Sequence, residues 1–264
     1  MKSVAGHVAR RRFGQNFLVS DGVIRKIVDA IAPRAGDTVV EIGPGLGALT
    51  APLLERLPVL HVVEIDRDLI ARLRERYPPE RLVIHEGDAL AFDVAMLAPA
   101  DPAARFKIVG NLPYNISSPL LFHLAAAADR VTDMHFMLQK EVVDRMVAAA
   151  GSEHYGRLSV MLQQRFHLER LFVVPPGAFQ PPPKVDSAIV RLIPRADAAP
   201  APARFAEIVA TAFSQRRKML RNTLRGIAGE EALRALDIPP TARAEDLDVA
   251  DFLRLAAAVD ARSG

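Results

Sequence analysis

The chain of 264 residues contains no cysteine. This absence excludes disulfide bonds, zinc–thiolate sites and cysteine nucleophiles, and it suits a reducing compartment, so we expect a cytoplasmic protein. Long apolar runs are also missing, because the longest candidate, residues 120–128, falls well short of the ~18 residues that a membrane span needs. Arg10, Arg11 and Arg12 interrupt any apolar segment of a secretory signal. We therefore expect neither a membrane span nor a secretory signal.

Acidic residues are scarce in two segments, although the net charge of the whole chain is only +3. Residues 1–20 carry no acidic residue, and residues 204–225 carry six basic residues against Glu207 alone. Such a local cluster is typical of proteins that bind a polyanion such as nucleic acid. A solvated helix face in an arginine-rich chain would have the same composition, so composition alone leaves both interpretations open.

Apolar strand-like runs alternate with helical stretches from residue 37 to about residue 192. This alternation predicts an α/β fold with a parallel, doubly wound sheet. The last two predicted strands are separated by a proline-rich loop too short for a crossover helix, so we expect them to pair antiparallel at the sheet edge. The predicted strands are 38–42, 60–65, 82–85, 106–109, 135–138, 171–174 and 187–193, and the helices between them include 46–57 and 67–76.

A stretch rich in proline and alanine predicts a linker over residues 195–203. We therefore expect a first domain over residues 1–194 and a small helical domain over residues 204–264. Helical spacing would place Arg217, Arg221 and Arg225 on one helix face, with Lys218 beside them.

The strongest local motif is Glu41-Ile42-Gly43-Pro44-Gly45-Leu46-Gly47, which follows a predicted strand and precedes a predicted helix. Glycines at such a turn let the backbone approach a ligand closely. Glu64 ends the next strand, where a carboxylate can accept hydrogen bonds from both ribose hydroxyls of a nucleoside. Asp88 and Asn111 follow the third and fourth strands, at the sheet edge where ligands bind in open α/β folds. Together these residues outline a nucleoside pocket, with Asp88 near the exocyclic amino group.

The fourth of these positions begins the tetrad Asn111-Leu112-Pro113-Tyr114. The side-chain carbonyl of Asn111 and the main-chain carbonyl of Leu112 can together accept both hydrogens of an exocyclic amine. Pro113 stiffens the turn between them, and the ring of Tyr114 can stack on a base. This combination predicts a site that binds a nucleobase through its exocyclic amino group.

At these residues the chain resembles the ribosomal RNA adenine N6,N6-dimethyltransferases, which use S-adenosylmethionine. Residues 13–18 are similar to the family's N-terminal motif, and the resemblance implies that Asn16 and Leu18 contact the methyl donor. Residues 178–188 resemble a later motif whose phenylalanine, here Phe179, packs on the target base. The remaining donor contacts implied by the resemblance are Gly43, Glu64, Asp88 and Asn111.

The resemblance implies a Rossmann-like S-adenosylmethionine-dependent methyltransferase sheet with a small all-helical C-terminal domain. The implied activity is methylation of adenine N6, on two adjacent adenines near the 3′ end of small-subunit ribosomal RNA, each dimethylated, during ribosome biogenesis. The expected partner is that RNA or its precursor particle, and we expect a monomer with no metal ion. The residues expected to contact RNA are Arg217, Lys218, Arg221 and Arg225.

Other functions stay open at this point. A large-subunit ribosomal RNA adenine dimethylase of the antibiotic-resistance type is the nearest alternative. A DNA adenine methyltransferase is a further one, because it would use an Asn-x-Pro-Tyr tetrad like residues 111–114 in the same way. An NAD-binding oxidoreductase fits Gly43, Gly45 and Glu64, but it has no use for the tetrad. A role as a ribosome-assembly factor is compatible with any RNA-binding interpretation.

Overall fold

The computed structural model describes residues 3–4, 7–8, 15–98, 101, 103–113 and 116–263. The chain divides into two compact units. The first comprises Met1–Val143 and Glu169–Pro194, and the second comprises Asp144–Leu168 and Arg195–Gly264. The predicted domains differ from this division over residues 144–168, which we expected in the first domain. Ala148, Tyr155 and Val160 of this segment are buried in the hydrophobic core of the second unit, which is why the segment belongs there.

The strands of the structure are β1 (Ser3–Val4), β2 (His7–Val8), β3 (Phe17–Leu18), β4 (Thr38–Ile42), β5 (Leu60–Glu64), β6 (Leu82–Glu86), β7 (Phe106–Asn111), β8 (Val131–Gln139), β9 (Phe166–Val174), β10 (Phe179–Gln180) and β11 (Ser187–Pro194). Seven of them form one sheet in the order β6-β5-β4-β7-β8-β11-β9. The first five strands of this order are parallel, and β11 is antiparallel to β8. The α/β prediction is confirmed, and the last two predicted strands lie side by side with β9 at the edge.

The helices are α1 (Asp21–Ile31), α2 (Thr50–Arg56), α3 (Arg67–Arg76), α4 (Ser117–Ala126), α5 (Lys140–Val147), α6 (Arg157–Gln163), α7 (Phe205–Ala212), α8 (Leu220–Thr223), α9 (Glu230–Arg234) and α10 (Val249–Ser263). The predicted helix 67–76 is confirmed. The predicted helix 46–57 begins too early, because Gly47 has φ +84 and the chain stays in a turn until Thr50. Of the described helices, none has the length and apolarity required to cross a membrane.

The central strands are apolar on both faces because helices cover both sides of a parallel sheet. Val39, Val40, Ile108 and Val109 on β4 and β7 are fully buried. This burial fixes where the strands end, and therefore where the polar residues that follow them lie.

Two short strands bring distant segments of the first unit together. β3 pairs antiparallel with β10, which places Leu18 opposite Phe179 and Phe17 opposite Gln180. Gly45 lies beneath this pair, since a Cβ atom at that glycine would be 3.4 Å from the ring of Phe17. The N-terminal motif therefore lies beside the glycine-rich turn.

The second unit is helical, as expected, but the basic segment is not one helix. α7 ends at Ala212 and α8 begins only at Leu220. Between them Met219 is extended and forms an antiparallel bridge with Arg243, and the N–H of Leu220 donates to the carbonyl of Ala242 at 2.8 Å. These backbone hydrogen bonds replace the ones that a continuous helix would make.

Arg217 and Lys218 consequently lie in the turn before α8, Arg221 lies on α8, and Arg225 lies in the turn after it. The prediction that Arg217, Arg221 and Arg225 share one helix face is wrong. Spacing alone could not show the interruption, because the partners of the interrupting hydrogen bonds are some twenty residues further along the chain.

Candidate active site

The glycine-rich turn after β4 depends on backbone conformations that glycine adopts without strain. Gly43 has φ +65 and Gly45 has φ +59, in the left-handed region. The N–H of Gly43 donates to the carbonyl of Val63 at 2.9 Å, which ties the turn to β5. The turn is therefore held against the end of β5.

A cavity of about 250 Å³ lies at these strand ends. Its size is close to the lower end of the ~300–1,000 Å³ range of small-molecule sites. All six residues expected to contact the methyl donor line it, although they come from five separate places in the sequence. They are Asn16, Leu18, Gly43, Glu64, Asp88 and Asn111.

Glu64 is held at the end of β5 by backbone N–H groups. Its Oε1 atom accepts hydrogen bonds from Ile65 and Asp66, each at 2.9 Å, and its Oε2 atom accepts a longer one of 3.4 Å from Gly45. Burial raises the pKa of Glu64, and these three N–H groups act in the opposite direction. The carboxylate is therefore fixed in orientation at the cavity wall.

Asp88 is exposed, and its Oδ1 atom accepts a hydrogen bond from the N–H of Leu90 at 2.9 Å. An aspartate that follows a strand often stabilises a turn in this way, by accepting from the backbone two residues further on. Because Asp88 also lines the cavity, the turn contact orients its side chain without removing it from the site.

Asn111 is oriented by a contact with the N-terminal motif. Its Nδ2 atom donates to the main-chain carbonyl of Asn16 at 3.1 Å. Since the amide group is planar, this contact directs Oδ1 away from Asn16, in the orientation assigned to the amide. The side-chain oxygen is then the atom that Asn111 can offer to an amine.

Leu112 lines the cavity, and its N–H donates to the carbonyl of Met137 at 3.1 Å, which anchors the tetrad to β8. Tyr114 lies outside the described residues. Phe179 is only 3% exposed, packs in the hydrophobic core and does not appear among the cavity-lining residues of the described chain. In this conformation it contributes to packing.

The sequence motif contains a charged cavity residue to which we assigned no role, Glu41. Its side chain is 1% exposed, and its Oε2 atom accepts a hydrogen bond of 2.6 Å from the hydroxyl of Thr50. Burial raises the pKa of Glu41 to about 7, with Thr50 lowering it and Glu64 raising it further. The sequence signal that could have identified it is an acidic residue directly after the apolar residues Val39 and Val40 of the strand Thr38–Ile42.

The four basic residues expected to contact RNA are all exposed on the second unit. Arg221 lies 3.9 Å from Glu230, a surface ion pair of small energetic value. Arg216 differs from them, because it forms an ion pair of 2.9 Å with Glu245 and donates to the main-chain carbonyl of Glu153. Arg216 therefore joins two loops of its own unit.

Within the part of the chain that the structure describes, no group of three or more histidine, aspartate or glutamate side chains could hold a metal ion.

The comparison with protein families identifies the chain. The family model described as ribosomal RNA adenine dimethylase matches residues 6–261. The chain belongs to the ribosomal RNA adenine dimethylase family. Members of this family are S-adenosylmethionine-dependent adenine methyltransferases, and the geometry of the cavity accords with that chemistry.

Relatives with high identity cover nearly the whole dimethylase chain. It is 63% identical to the ribosomal RNA small subunit methyltransferase A of Thiobacillus denitrificans, over 93% of this chain and 96% of that protein. It is also 63% identical to the protein of the same name from Laribacter hongkongensis, over 94% of this chain and 95% of that protein.

Solved structures of dimethylases and related enzymes share the fold. A dimethyladenosine transferase from Plasmodium falciparum aligns with a TM-score of 0.80 at 27% identity, covering 94% of this chain and 98% of that one. The 23S rRNA methyltransferase ErmE aligns with a TM-score of 0.70 at 28% identity, covering 93% of this chain and all of that one. The Rossmann-like fold class is therefore confirmed.

Proposed function

We propose that this dimethylase methylates N6 of adenines in small-subunit ribosomal RNA, two adjacent adenines near the 3′ end, each to the dimethyl form. The observation that carries this proposal is the 63% identity, over 93% of the chain, to a relative named for the small subunit. The large-subunit enzyme ErmE is 28% identical, so a large-subunit target is the weaker candidate.

The side chains that line the cavity are chemically suited to bind S-adenosylmethionine. When bound, S-adenosylmethionine supplies a methyl group that its sulfonium sulfur already activates. In our proposal Glu64, fixed by three backbone N–H groups, binds the ribose hydroxyls, and Asp88 accepts from the adenine amino group. Asn16, Leu18 and Gly43 line the remaining part of the donor site.

Asn111 has the central role toward the target adenine. The N6 amine is a weak nucleophile because its lone pair is delocalised into the ring. Oδ1 of Asn111 and the carbonyl of Leu112 would accept its hydrogens and favour a tetrahedral nitrogen with a localised lone pair. Most of the remaining rate enhancement would come from alignment, which can contribute ~7–11 kcal/mol.

The target base has to leave its RNA stack to reach this cavity. The resemblance implies that Tyr114 stacks on the base, a contact worth ~1–3 kcal/mol, and we keep that role as part of the proposal. For Phe179 to stack in the same way, the β3–β10 pair would have to move, because the ring is buried in the core. We therefore assign Phe179 to packing in the conformation described.

RNA docking is proposed for the exposed basic residues of the second unit. Arg217, Lys218, Arg221 and Arg225 would contact phosphates and orient the RNA, since phosphate contacts position a protein without reading sequence. A structured precursor of the small subunit is the partner that we propose, bound by a monomer of this chain.

The experiment that tests this function is incubation with radiolabelled S-adenosylmethionine and small-subunit or large-subunit particles, each isolated from cells that lack the modification. We expect label in the small-subunit RNA, recovered as dimethyladenosine after digestion to nucleosides. The Asn111→Ala variant is the negative control. Label confined to the large-subunit RNA would contradict the proposal, and recovery of monomethyladenosine alone would contradict the dimethyl product.

A further inference from the structure

Carboxyl groups are the charged side chains in the wall of the cavity. Among the described residues that line it there are three of them, Glu41, Glu64 and Asp88, and no lysine or arginine. Two of the three are buried, and they project from neighbouring parallel strands, β4 and β5. Such a wall favours a cation, and S-adenosylmethionine carries two cationic groups, its sulfonium and its α-ammonium.

Glu41 differs from the other two carboxyl groups in how it is bonded. Glu64 accepts from three backbone N–H groups, and Asp88 is exposed. Glu41 is 1% exposed, and Thr50 is its single hydrogen-bond partner among the described residues. A buried carboxylate with so little compensation is costly in its ionised form.

Among the described residues, the groups that act on the pKa of Glu41 include no cation. From β5, Glu64 acts on it as a like charge. From the end of α3, the hydroxyl of Tyr77 is electrostatically coupled to it, and from α2 the neutral hydroxyl of Thr50 donates to it. The pKa of Glu41, raised to about 7 chiefly by burial, agrees with this geometry.

We propose that Glu41 is a proton-linked contact for the positive charge of the methyl donor: it holds a proton before the donor binds, and releases it to solvent when the donor's cationic group enters the cavity. The carboxylate so formed and the donor cation then form an ion pair. The inference rests on the proposed donor site. It adds Glu41 to the residues of that site and links donor binding to the release of one proton.

Linkage sets the sign of the effect. Because the donor binds best to ionised Glu41, donor affinity rises with pH through the range around 7 and levels off above it. With the pKa at about 7, the affinity should rise by up to about tenfold between about pH 6 and pH 8. The number of protons released on binding should be close to one near pH 6 and close to zero near pH 8.5.

Isothermal titration calorimetry of the full chain with S-adenosylmethionine tests this. Titrations in buffers of different ionisation enthalpy count the protons released. In Glu41→Gln, which keeps an oxygen acceptor for Thr50, we expect proton release near pH 6 to fall by about one relative to the parent. The part of the affinity change between about pH 6 and pH 8 that Glu41 causes should also be lost. The α-ammonium of the donor titrates equally in both proteins, so the comparison cancels it. Glu80→Gln, a change at an exposed carboxylate, is the matched control and should behave like the parent.

A second variant allows the proposal to be tested even if Glu41→Gln does not fold. Thr50→Val removes the hydroxyl that lowers the pKa of Glu41, so the midpoint of the pH dependence should move to higher pH. S-adenosylhomocysteine, which lacks the sulfonium charge, identifies the cation. Proton release with both ligands points to the α-ammonium, and release with S-adenosylmethionine alone points to the sulfonium; either result supports the proposal.

Glu41 could instead serve only to anchor α2 through Thr50. Glu41→Gln would then lower the thermal midpoint and leave the proton count at the parent value, which would overturn the proposal. Failure of the parent to bind the donor at any pH is a different result, because it would overturn the proposed donor site itself.

Discussion

The Nδ2 atom of Asn111 donates a hydrogen bond of 3.1 Å to the main-chain oxygen of Asn16, which joins two residues 95 positions apart in the sequence. The contact connects the N-terminal motif to the tetrad that begins at Asn111. In the proposed mechanism, it also leaves Oδ1 as the atom of the Asn111 amide that would accept from the target amine.

Asn111→Ala should lower single-turnover methylation by at least ~100-fold, because its contact with the amine is strongest in the transition state. RNA affinity should stay nearly unchanged, and donor affinity should fall only modestly. Rapid-quench assays with saturating RNA and donor measure the effect, with circular dichroism as the folding control. A rate within threefold of the parent would contradict the role assigned to Asn111.

Glu64→Ala should weaken donor binding by about 1–3 kcal/mol, since a fixed carboxylate that accepts from two hydroxyls is lost. Calorimetry with S-adenosylmethionine measures this. Glu75→Ala on the exposed side of α3 is the matched control, and it should bind the donor like the parent. Equal donor affinity in the two variants would show that Glu64 does not bind the donor.

Replacing Arg217, Lys218 and Arg221 together by glutamine should weaken binding to small-subunit particles. It should also reduce the slope of log K against log salt by up to ~3, through fewer released counterions. Binding titrations at several salt concentrations measure the slope. The control variant replaces three exposed basic residues of the first unit by glutamine, Arg25, Arg34 and Arg76. If the two triple variants change the slope equally, the basic segment has no particular role in docking.

Phe179→Ala should lower the free energy of unfolding by ~3–5 kcal/mol, as expected for truncating a buried aromatic side chain. Val185, which is 47% exposed in the same loop region, provides the control, because Val185→Ala should change stability by less than ~0.5 kcal/mol. Urea denaturation followed by circular dichroism measures both. A Phe179→Ala protein as stable as the parent would show that the ring is not a core residue.

Two histidines on neighbouring strands should make stability depend on pH. Nδ1 of His61 lies 3.1 Å from Nε2 of His85, and burial lowers the pKa of both, with His85 lowering that of His61 further. The unfolded chain, with histidine pKa near ~6.5, therefore binds more protons than the folded one as pH falls below that value. Stability from this pair is complete above about pH 6.5 and is lost as pH falls, at up to ~1.4 kcal/mol per pH unit for each extra proton bound by the unfolded chain.

Denaturation of the parent and of the His61→Gln/His85→Gln variant between about pH 5.5 and pH 7.5 checks this prediction. The raised pKa of Glu41 acts in the opposite direction, so the difference between the two proteins is the quantity to compare. The free energy of unfolding of the parent minus that of the double variant should decrease as pH falls. His154→Gln, at an exposed histidine, should give the parent profile, and a constant difference across the range would contradict the pairing.

The sequence by itself determined the parallel part of the sheet and most of the cavity wall that we propose as the donor site. Apolar strands that alternate with helices bury both faces of a parallel sheet, and the carboxyl ends of such strands share one edge. For this reason Gly43, Glu64, Asp88 and Asn111 could be assigned to one site from their positions after four strands, and all four line one cavity. The resemblance to the family supplied Asn16 and Leu18, which no local periodicity indicates.

Only the tertiary structure decided the contacts between segments that are distant in sequence. Residues 144–168 belong to the second unit because their apolar side chains complete its core, and the basic segment is interrupted because Met219 and Leu220 bond to residues 242–243. Phe179 is buried because β10 pairs with β3. The pKa of Glu41 is raised because the surrounding core excludes water and because Glu64 acts on it as a like charge. Each of these depends on which residue from elsewhere in the chain fills the space or accepts the hydrogen bond, and local spacing carries no information about that partner.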